Sequence, residues 1–263
     1  MNRQLLLRSS LLLLILSLTS HTEAQSNSTN SSTPIPSVGA SNIPIIPPMP
    51  RTPFTAVTPT QKARNPGRHA EFLYRITQGN IDLLFLGDSI TDGWPRHGEW
   101  SWLKFAPYQP ADFGVSGERT EDVLWRITNG ELDGIDPKVV VLMIGTNNLG
   151  QCRDERPEWT AAGIEKIVAT IHQKLPHTKI LLLGVFPRGA KENPFRAKIA
   201  EINKTISKLD DGKTTRYLDI GNVFLDANGN IPIEVMPDGL HPNAHGYDLW
   251  YAAMNPLLTE MLK

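Results

Sequence analysis

A serine, an aspartate and a histidine stand at positions where they could form an acyl-transfer site. Ser89 follows an apolar run that ends at Gly87, and Asp238 and His241 lie three residues apart near the C-terminus. A serine hydroxyl is a weak nucleophile until a base removes its proton, which imidazole can do near neutral pH. A carboxylate on the other ring nitrogen holds the required tautomer and stabilises the imidazolium. The pattern predicts Ser89 as nucleophile, His241 as base and Asp238 as its orienting acid.

The same chemistry requires hydrogen-bond donors for the oxyanion of the tetrahedral intermediate. We predict three donors, namely the backbone N–H groups of Ser89 and Gly117 and the side-chain amide of Asn147. A glycine at 117 allows the backbone to approach a substrate closely. Each residue also has a structural alternative, because serine caps helices, glycine forms turns and asparagine forms Asx turns.

Two neighbours of these residues have simpler interpretations. Asp88 precedes the serine and is expected to fix the turn by accepting hydrogen bonds from the backbone. Asn148 follows Asn147 and is expected to be structural.

Strand and helix patterns alternate along the chain and must position these residues. Apolar runs bounded by turn residues are typical of strands buried on both faces, and apolar residues at helical spacing predict amphipathic helices. Alternation of this kind favours an α/β fold, here a three-layer α/β/α arrangement with a parallel sheet of five strands. The predicted strands are 81–87, 110–114, 138–145, 179–186 and 215–220, and the predicted helices are 68–77, 119–127, 157–175, 193–210 and 243–262. Loops at the carboxyl ends of the strands would bring the candidate site residues together.

Four segments resemble, in order, the four blocks of the SGNH (GDSL-type) hydrolases. They are GDSI (87–90), FGVSGERT (113–120), GTNN (145–148) and DGLH (238–241). FLGDSITDGW, NGEL and PRG, at 85–94, 129–132 and 187–189, are most similar to the branch around the catalytic subunits of intracellular platelet-activating-factor acetylhydrolase.

The resemblance implies an SGNH hydrolase fold, in which the parallel five-stranded sheet is flavodoxin-like. It implies Ser89, Asp238 and His241 as catalytic residues, with Ser89, Gly117 and Asn147 forming the oxyanion hole. It also implies that no metal and no organic cofactor takes part, and it makes a homodimer a candidate assembly. The segments differ from the family name at Ile90, where leucine is usual.

Composition limits the other possibilities. The chain has 263 residues. Its formal net charge of −1 gives no basic surplus for binding nucleic acid, and its single cysteine, Cys152, excludes an internal disulfide.

Residues 1–24 have a basic start, a short apolar core and a small-residue cleavage site after Ala24, which predicts a signal peptide. Residues 25–60 are rich in Ser, Asn and Pro and predict a disordered linker, so the folded domain is expected at 61–263. The expected location is secreted, periplasmic or cell-envelope, with no integral membrane span after signal removal.

Several weaker signals have two interpretations each. His241 and His245 have HxxxH spacing, which two metal ligands on one helix can have. Pro242 favours placing His241 ahead of the helix, which argues against a metal pair. Three tryptophans are expected either to line a substrate pocket or to pack in the core; they are Trp94, Trp100 and Trp102. The DANGN segment (226–230) indicates a turn more than a calcium loop. Four other histidines have no visible partners and are expected on the surface; they are His69, His97, His172 and His177.

The combined interpretation is an exported serine esterase that cleaves short acyl esters, chiefly acetate, from O-acetylated carbohydrate. One alternative is an acetylhydrolase or lysophospholipase that acts on phospholipid, as the acetylhydrolase branch implies. Another is a surface binding module that has kept the fold without catalysis; the presence of the whole candidate site argues against it.

Overall fold

The computed structural model describes residues 52–62, 66–152 and 154–263. The predicted signal peptide and most of the predicted linker lie outside these ranges. No helix in the described part of the chain is long and apolar enough to cross a membrane.

A five-stranded parallel sheet forms the centre of the fold. The strand order is β2-β1-β3-β4-β5, so the predicted flavodoxin-like sheet is confirmed. The strands are β1 (Leu83–Gly87), β2 (Pro110–Gly114), β3 (Val139–Met143), β4 (Lys179–Leu183) and β5 (Thr215–Leu218). β3 and β4 end earlier than predicted. Ile144 and Val185 follow the strands and are still buried in the core, so the apolar pattern continues beyond the strand ends. Burial alone therefore did not mark the strand ends.

Helices cover both faces of the sheet and give the predicted three layers. Alternate strand residues point to opposite faces, so Leu84 and Leu86 pack on one face, and Leu83 and Phe85 on the other. The first face carries α1 (Pro66–Thr77), α5 (Thr120–Thr128), α7 (Pro157–Lys174) and α8 (Phe195–Ile206). The second face carries the short helices after β1, which are α2 (Ser89–Asp92), α3 (Trp94–His97) and α4 (Glu99–Trp102), together with α9 (Ala244–Met261). The remaining helix, α6 (Thr146–Gln151), follows β3.

The three tryptophans after β1 have different environments. Trp94 is fully buried and packs against Phe85 and Trp250, with ring centroids 5.8 Å and 4.7 Å away. Trp102 is partly buried against Phe85, whereas Trp100 is 78% exposed. Core packing therefore explains Trp94 and Trp102, and Trp100 faces solvent.

Residues 52–62, called the strap below, extend the packed chain beyond the predicted boundary at residue 61. A short 3-10 helix, Thr55–Val57, places Ala56 in the core with no exposed surface. The carbonyl of Ala56 accepts a hydrogen bond from Oγ1 of Thr120 at 2.9 Å. Composition did not reveal this packing, because one buried alanine among threonines and prolines has no periodicity.

Two of the histidines expected to lack partners have them. Nδ1 of His69 lies 2.8 Å from Oε1 of Glu131, and Nε2 of His172 lies 2.7 Å from Oγ1 of Thr215. Both partners are distant in the sequence, so no local pattern indicated them. The DANGN segment forms the predicted turn, in which Asp226 accepts hydrogen bonds from the backbone.

Candidate active site

The predicted site residues lie at the carboxyl ends of the first three strands and just before α9. β1 pairs with β2 and β3 so that Gly87 is level with Gly114 and Met143. Parallel strands that end level with each other bring their following loops to one rim. The segments that follow these strands and contain Ser89, Gly117 and Asn147 consequently meet there.

Ser89, His241 and Asp238 form a continuous chain of hydrogen bonds. Oγ of Ser89 lies 2.9 Å from Nε2 of His241, and Nδ1 of His241 lies 2.6 Å from Oδ2 of Asp238. With the ring proton on Nδ1, the imidazole donates to the carboxylate and accepts from the serine hydroxyl. This is the arrangement a serine nucleophile needs from its base.

Asp238 is held by the backbone as well as by the ring. Its Oδ1 accepts hydrogen bonds from the N–H groups of Leu240, at 3.0 Å, and His241, at 2.8 Å. Partial burial acts to raise the pKa of Asp238, but the hydrogen bonds from the His241 ring and the two N–H groups outweigh it and lower that pKa. The carboxylate therefore stays ionised beside the imidazole.

The turn before Ser89 presents its hydroxyl at the rim. Oδ1 of Asp88 accepts a hydrogen bond from the N–H of Ile90 at 3.0 Å, as predicted, and the structure shows that Asp88 is the N-cap of α2. Ser89 is consequently the first helical residue, and its side chain is not used for capping. A side chain at Gly87 would collide with the Met143 carbonyl, so this close approach of the strands requires glycine.

Gly117 lies in the loop after β2, and Asn147 lies in α6, which follows β3. Gly117 has a φ of +72°, which favours glycine, and among the described residues no backbone hydrogen bond uses its N–H. Asn147 is in the first turn of α6 and donates from Nδ2 to the Glu118 carbonyl at 3.0 Å. A side-chain amide has two N–H donors, so one of the two stays available to a bound oxyanion.

A buried ionic network supports the Gly117 loop from below. Arg126 donates to Glu118 at 2.8 Å and also bonds Glu131, which in turn contacts His69. Burial raises the pKa of Glu118 to about 7, although Arg126 opposes the shift. The network fixes the segment whose carbonyl group, at Glu118, accepts the hydrogen bond from the Asn147 side chain.

Asn148 is structural, as predicted. It is fully buried, its Oδ1 accepts from the Thr120 N–H at 3.1 Å, and its Nδ2 donates to Thr120 Oγ1 at 3.0 Å. Both bonds join α6 to the start of α5.

Two cationic residues near the site were not predicted. Arg188 donates from Nη1 to the Thr146 carbonyl at 2.9 Å, and Lys62 donates to the Ser116 carbonyl at 2.9 Å. Burial raises the pKa of Asp88 to about 6, while Arg188 and Lys62 act to lower it. Arg188 belongs to the PRG segment, which the sequence analysis used only as a family pattern, and Lys62 had no sequence signal.

The HxxxH pair does not form a metal site. His241 is ahead of α9 and is engaged by Ser89 and Asp238, whereas His245 is exposed in the first turn of that helix. Within the part of the chain that the structure describes, no group of three or more His, Cys, Asp or Glu side chains is placed to hold a metal ion.

Comparisons with known proteins agree with the fold and with the sequence motifs. Residues 85–249 match the model of the GDSL-like lipase/acylhydrolase family. Platelet-activating factor acetylhydrolase IB subunit alpha2 of Rattus norvegicus is 36% identical over 197 residues, which cover 74% of this chain and 84% of that protein.

Solved structures share the fold at low identity. A GDSL-like lipase from Bacteroides thetaiotaomicron has a TM-score of 0.61 at 20% identity, covering 73% of this chain and 97% of that one. A catalytic mutant of an acetylxylan esterase from Geobacillus stearothermophilus has a TM-score of 0.56 at 19% identity, covering 70% and 95%. The family match spans more than half of the chain and includes the segments around Ser89, Gly117, Asn147 and His241. The chain belongs to the GDSL-like lipase/acylhydrolase family and is a carboxylic ester hydrolase.

Proposed function

We propose that the protein is an exported serine esterase that removes short acyl groups, chiefly acetyl, from O-acetylated carbohydrate. The observation that carries the proposal is the hydrogen-bonded chain from Ser89 through His241 to Asp238. Its geometry suits a two-step reaction through an acyl-enzyme.

In the first step, Oγ of Ser89 attacks the ester carbonyl as Nε2 of His241 takes the hydroxyl proton. The oxyanion receives hydrogen bonds from the N–H groups of Ser89 and Gly117 and from the Asn147 amide. His241 then protonates the departing alkoxide, and the acyl group stays on Ser89. In the second step, His241 takes a proton from water, and the resulting attack releases the acid and restores the serine.

Packing beneath Ser89 supports a short acyl group. Ile90 and Trp94, which follow the nucleophile, are 1% and 0% exposed and already fill the space against the sheet. An acyl pocket on this side of Ser89 would therefore be shallow, which favours an acetyl group over a long acyl chain.

Exposure at the rim supports a bulky alcohol. The side chains of His241 and Asp238 are 42% and 55% exposed, so the base can be reached by an ester on a large molecule. An exported enzyme meets polysaccharide, and the fold is shared with an acetylxylan esterase. Export itself is supported by the signal-like residues 1–24 and is tested by N-terminal sequencing of the protein recovered outside cells, which should begin at Gln25.

A phospholipid acetyl ester is the second candidate. The observation that favours it is the 36% identity to a platelet-activating factor acetylhydrolase subunit. Carbohydrate and lipid substrates share the acetyl group and differ in the alcohol. The resemblance of the sequence motifs to the acetylhydrolase branch makes a homodimer the first assembly to test by light scattering.

The deciding experiment uses the protein that spans residues 25–263. It measures the hydrolysis of p-nitrophenyl esters, from acetyl to decanoyl, by the wild type and by its Ser89→Ala variant. We expect turnover to fall steeply beyond butyryl, and the variant to lose at least 10³-fold in kcat with an unchanged Tm. Acetylated xylo-oligosaccharides and an acetyl-phospholipid then compete as substrates for the active protein. Equal turnover by wild type and Ser89→Ala would refute the mechanism, and a preference for long chains would refute the acetyl proposal.

A further inference from the structure

The strap carries a lysine to the oxyanion-hole loop. Nζ of Lys62 lies 2.9 Å from the Ser116 carbonyl oxygen, although the two residues are 54 positions apart. The same Nζ is 2.9 Å from the point that a Cβ on Gly117 would occupy. Lys62 lies outside residues 85–249, the segment that matches the family.

The carbonyl that Lys62 contacts belongs to the same peptide group as a predicted oxyanion donor. A peptide unit joins the C=O of one residue to the N–H of the next, so the Ser116 carbonyl and the Gly117 N–H share one rigid plane. In a trans peptide these two groups point in opposite directions. An ammonium group bonded to the carbonyl therefore orients the N–H on the other side and polarises it toward an incoming negative charge.

A second side chain holds the other side of Gly117. Nε2 of Gln151, in α6, donates to the Gly117 carbonyl at 2.9 Å. Glycine at a φ of +72° has wide conformational freedom, so its two peptide planes need external restraint to stay aligned. Lys62 restrains the plane before Gly117, and Gln151 restrains the plane after it.

The strap is anchored well enough to position this lysine. Ala56 is fully buried and its carbonyl is bonded by Thr120, while the Thr60 N–H donates to the Glu121 carbonyl at 3.0 Å. Thr120 and Glu121 begin α5, directly after the Gly117 loop. Strap and loop are consequently tied to the same helix end.

We propose that Lys62 is a positioning residue for the esterase reaction, because it orients and polarises the peptide group that presents the Gly117 N–H to the oxyanion. The inference rests on the proposed function. A preorganised donor acts where charge develops in the transition state, so its loss lowers kcat more than it changes KM.

The test compares wild type with Lys62→Met, Lys62→Arg and the control Lys138→Met on p-nitrophenyl acetate. Methionine keeps the apolar stem without the ammonium, and arginine keeps a cationic donor. Lys138 is an exposed lysine paired with Asp82, next to the opposite ends of the strands. Removal of a whole oxyanion donor costs about 10²–10³ in kcat, and loss of its support alone should cost about tenfold.

We expect Lys62→Met to lose about tenfold in kcat with KM within twofold of wild type, and Lys62→Arg to regain most of the rate. Methylboronic acid, which forms a tetrahedral adduct on serine, should bind Lys62→Met more weakly by a similar factor. A kcat within twofold of wild type overturns the proposal, as does a change confined to KM, which would make Lys62 a substrate-binding residue. An equal loss in Lys138→Met, or a lowered Tm in Lys62→Met alone, also overturns it. Ser89→Ala, tested in parallel, shows separately whether the esterase mechanism holds.

Discussion

Replacement of Asp238 by asparagine separates the two tasks of this carboxylate. Oδ1 accepts the N–H groups of Leu240 and His241, and the asparagine carbonyl can still accept both. Oδ2 faces Nδ1 of His241 at 2.6 Å, and there asparagine presents an NH2 donor. The ring must then accept at Nδ1 and carry its proton on Nε2, which faces Ser89 at 2.9 Å. In that tautomer the imidazole cannot take the serine proton.

The expected magnitude follows from the exposure of the pair. The same change at a fully buried triad aspartate costs about 10⁴ in kcat, equivalent to about 5.4 kcal/mol at 1.36 kcal/mol per tenfold. The Asp238 side chain is 55% exposed, and water weakens the interaction between the carboxylate and the imidazolium. We therefore expect a loss of about 10²–10³ in kcat, which is about 3–4 kcal/mol, with little change in KM.

The assay measures kcat and KM for p-nitrophenyl acetate at pH 7.5, with Tm as the check on folding. Asp226→Asn is the matched control, because Asp226 also accepts two backbone N–H groups, from Asn228 and Asn230, each at 2.8 Å. It should keep kcat within twofold of wild type. If Asp238→Asn retains more than about a fifth of wild-type kcat, Asp238 only shapes its turn and the assigned role is wrong.

Two further predictions concern a pair of adjacent asparagines and a partly buried acid. Asn147→Ala should lower kcat about 10²–10³-fold with a small change in Tm. Asn148→Ala should mainly lower Tm, because the change removes both hydrogen bonds between Asn148 and Thr120. The reverse pattern would contradict the assigned roles. Burial raises the pKa of Asp112 to about 8, so the stability that its protonated form contributes is complete below about pH 4 and is lost as pH rises to 8. Asp112→Asn keeps an acceptor for the Gly114 N–H but cannot ionise. Its Tm should rise relative to that of wild type by several degrees between pH 5 and pH 8. A Tm difference independent of pH would show that Asp112 does not titrate in this range.

Local patterns in the sequence determined the elements and the order of the site motifs. Runs such as LLFLG and VVVLM favour buried strands, because they are short, are bounded by turn residues and are apolar on both faces. The turn-fixing role of Asp88 also followed from the sequence, since its bond to Ile90 spans two residues. Alternation of strands and helices implied a parallel sheet, and so a common rim for the loops after β1, β2 and β3.

Only the tertiary structure decided which distant side chains meet at hydrogen-bond distance. Ser89 and His241 are 152 residues apart, and His69 and Glu131 are 62 apart, so neither pair has a local signature. The placement of Lys62 over the Gly117 loop depends on the burial of Ala56 in a segment whose composition resembles a linker. Periodicity reports only what one helix turn or one strand can sense, whereas these contacts depend on the path of the whole chain through the packed layers.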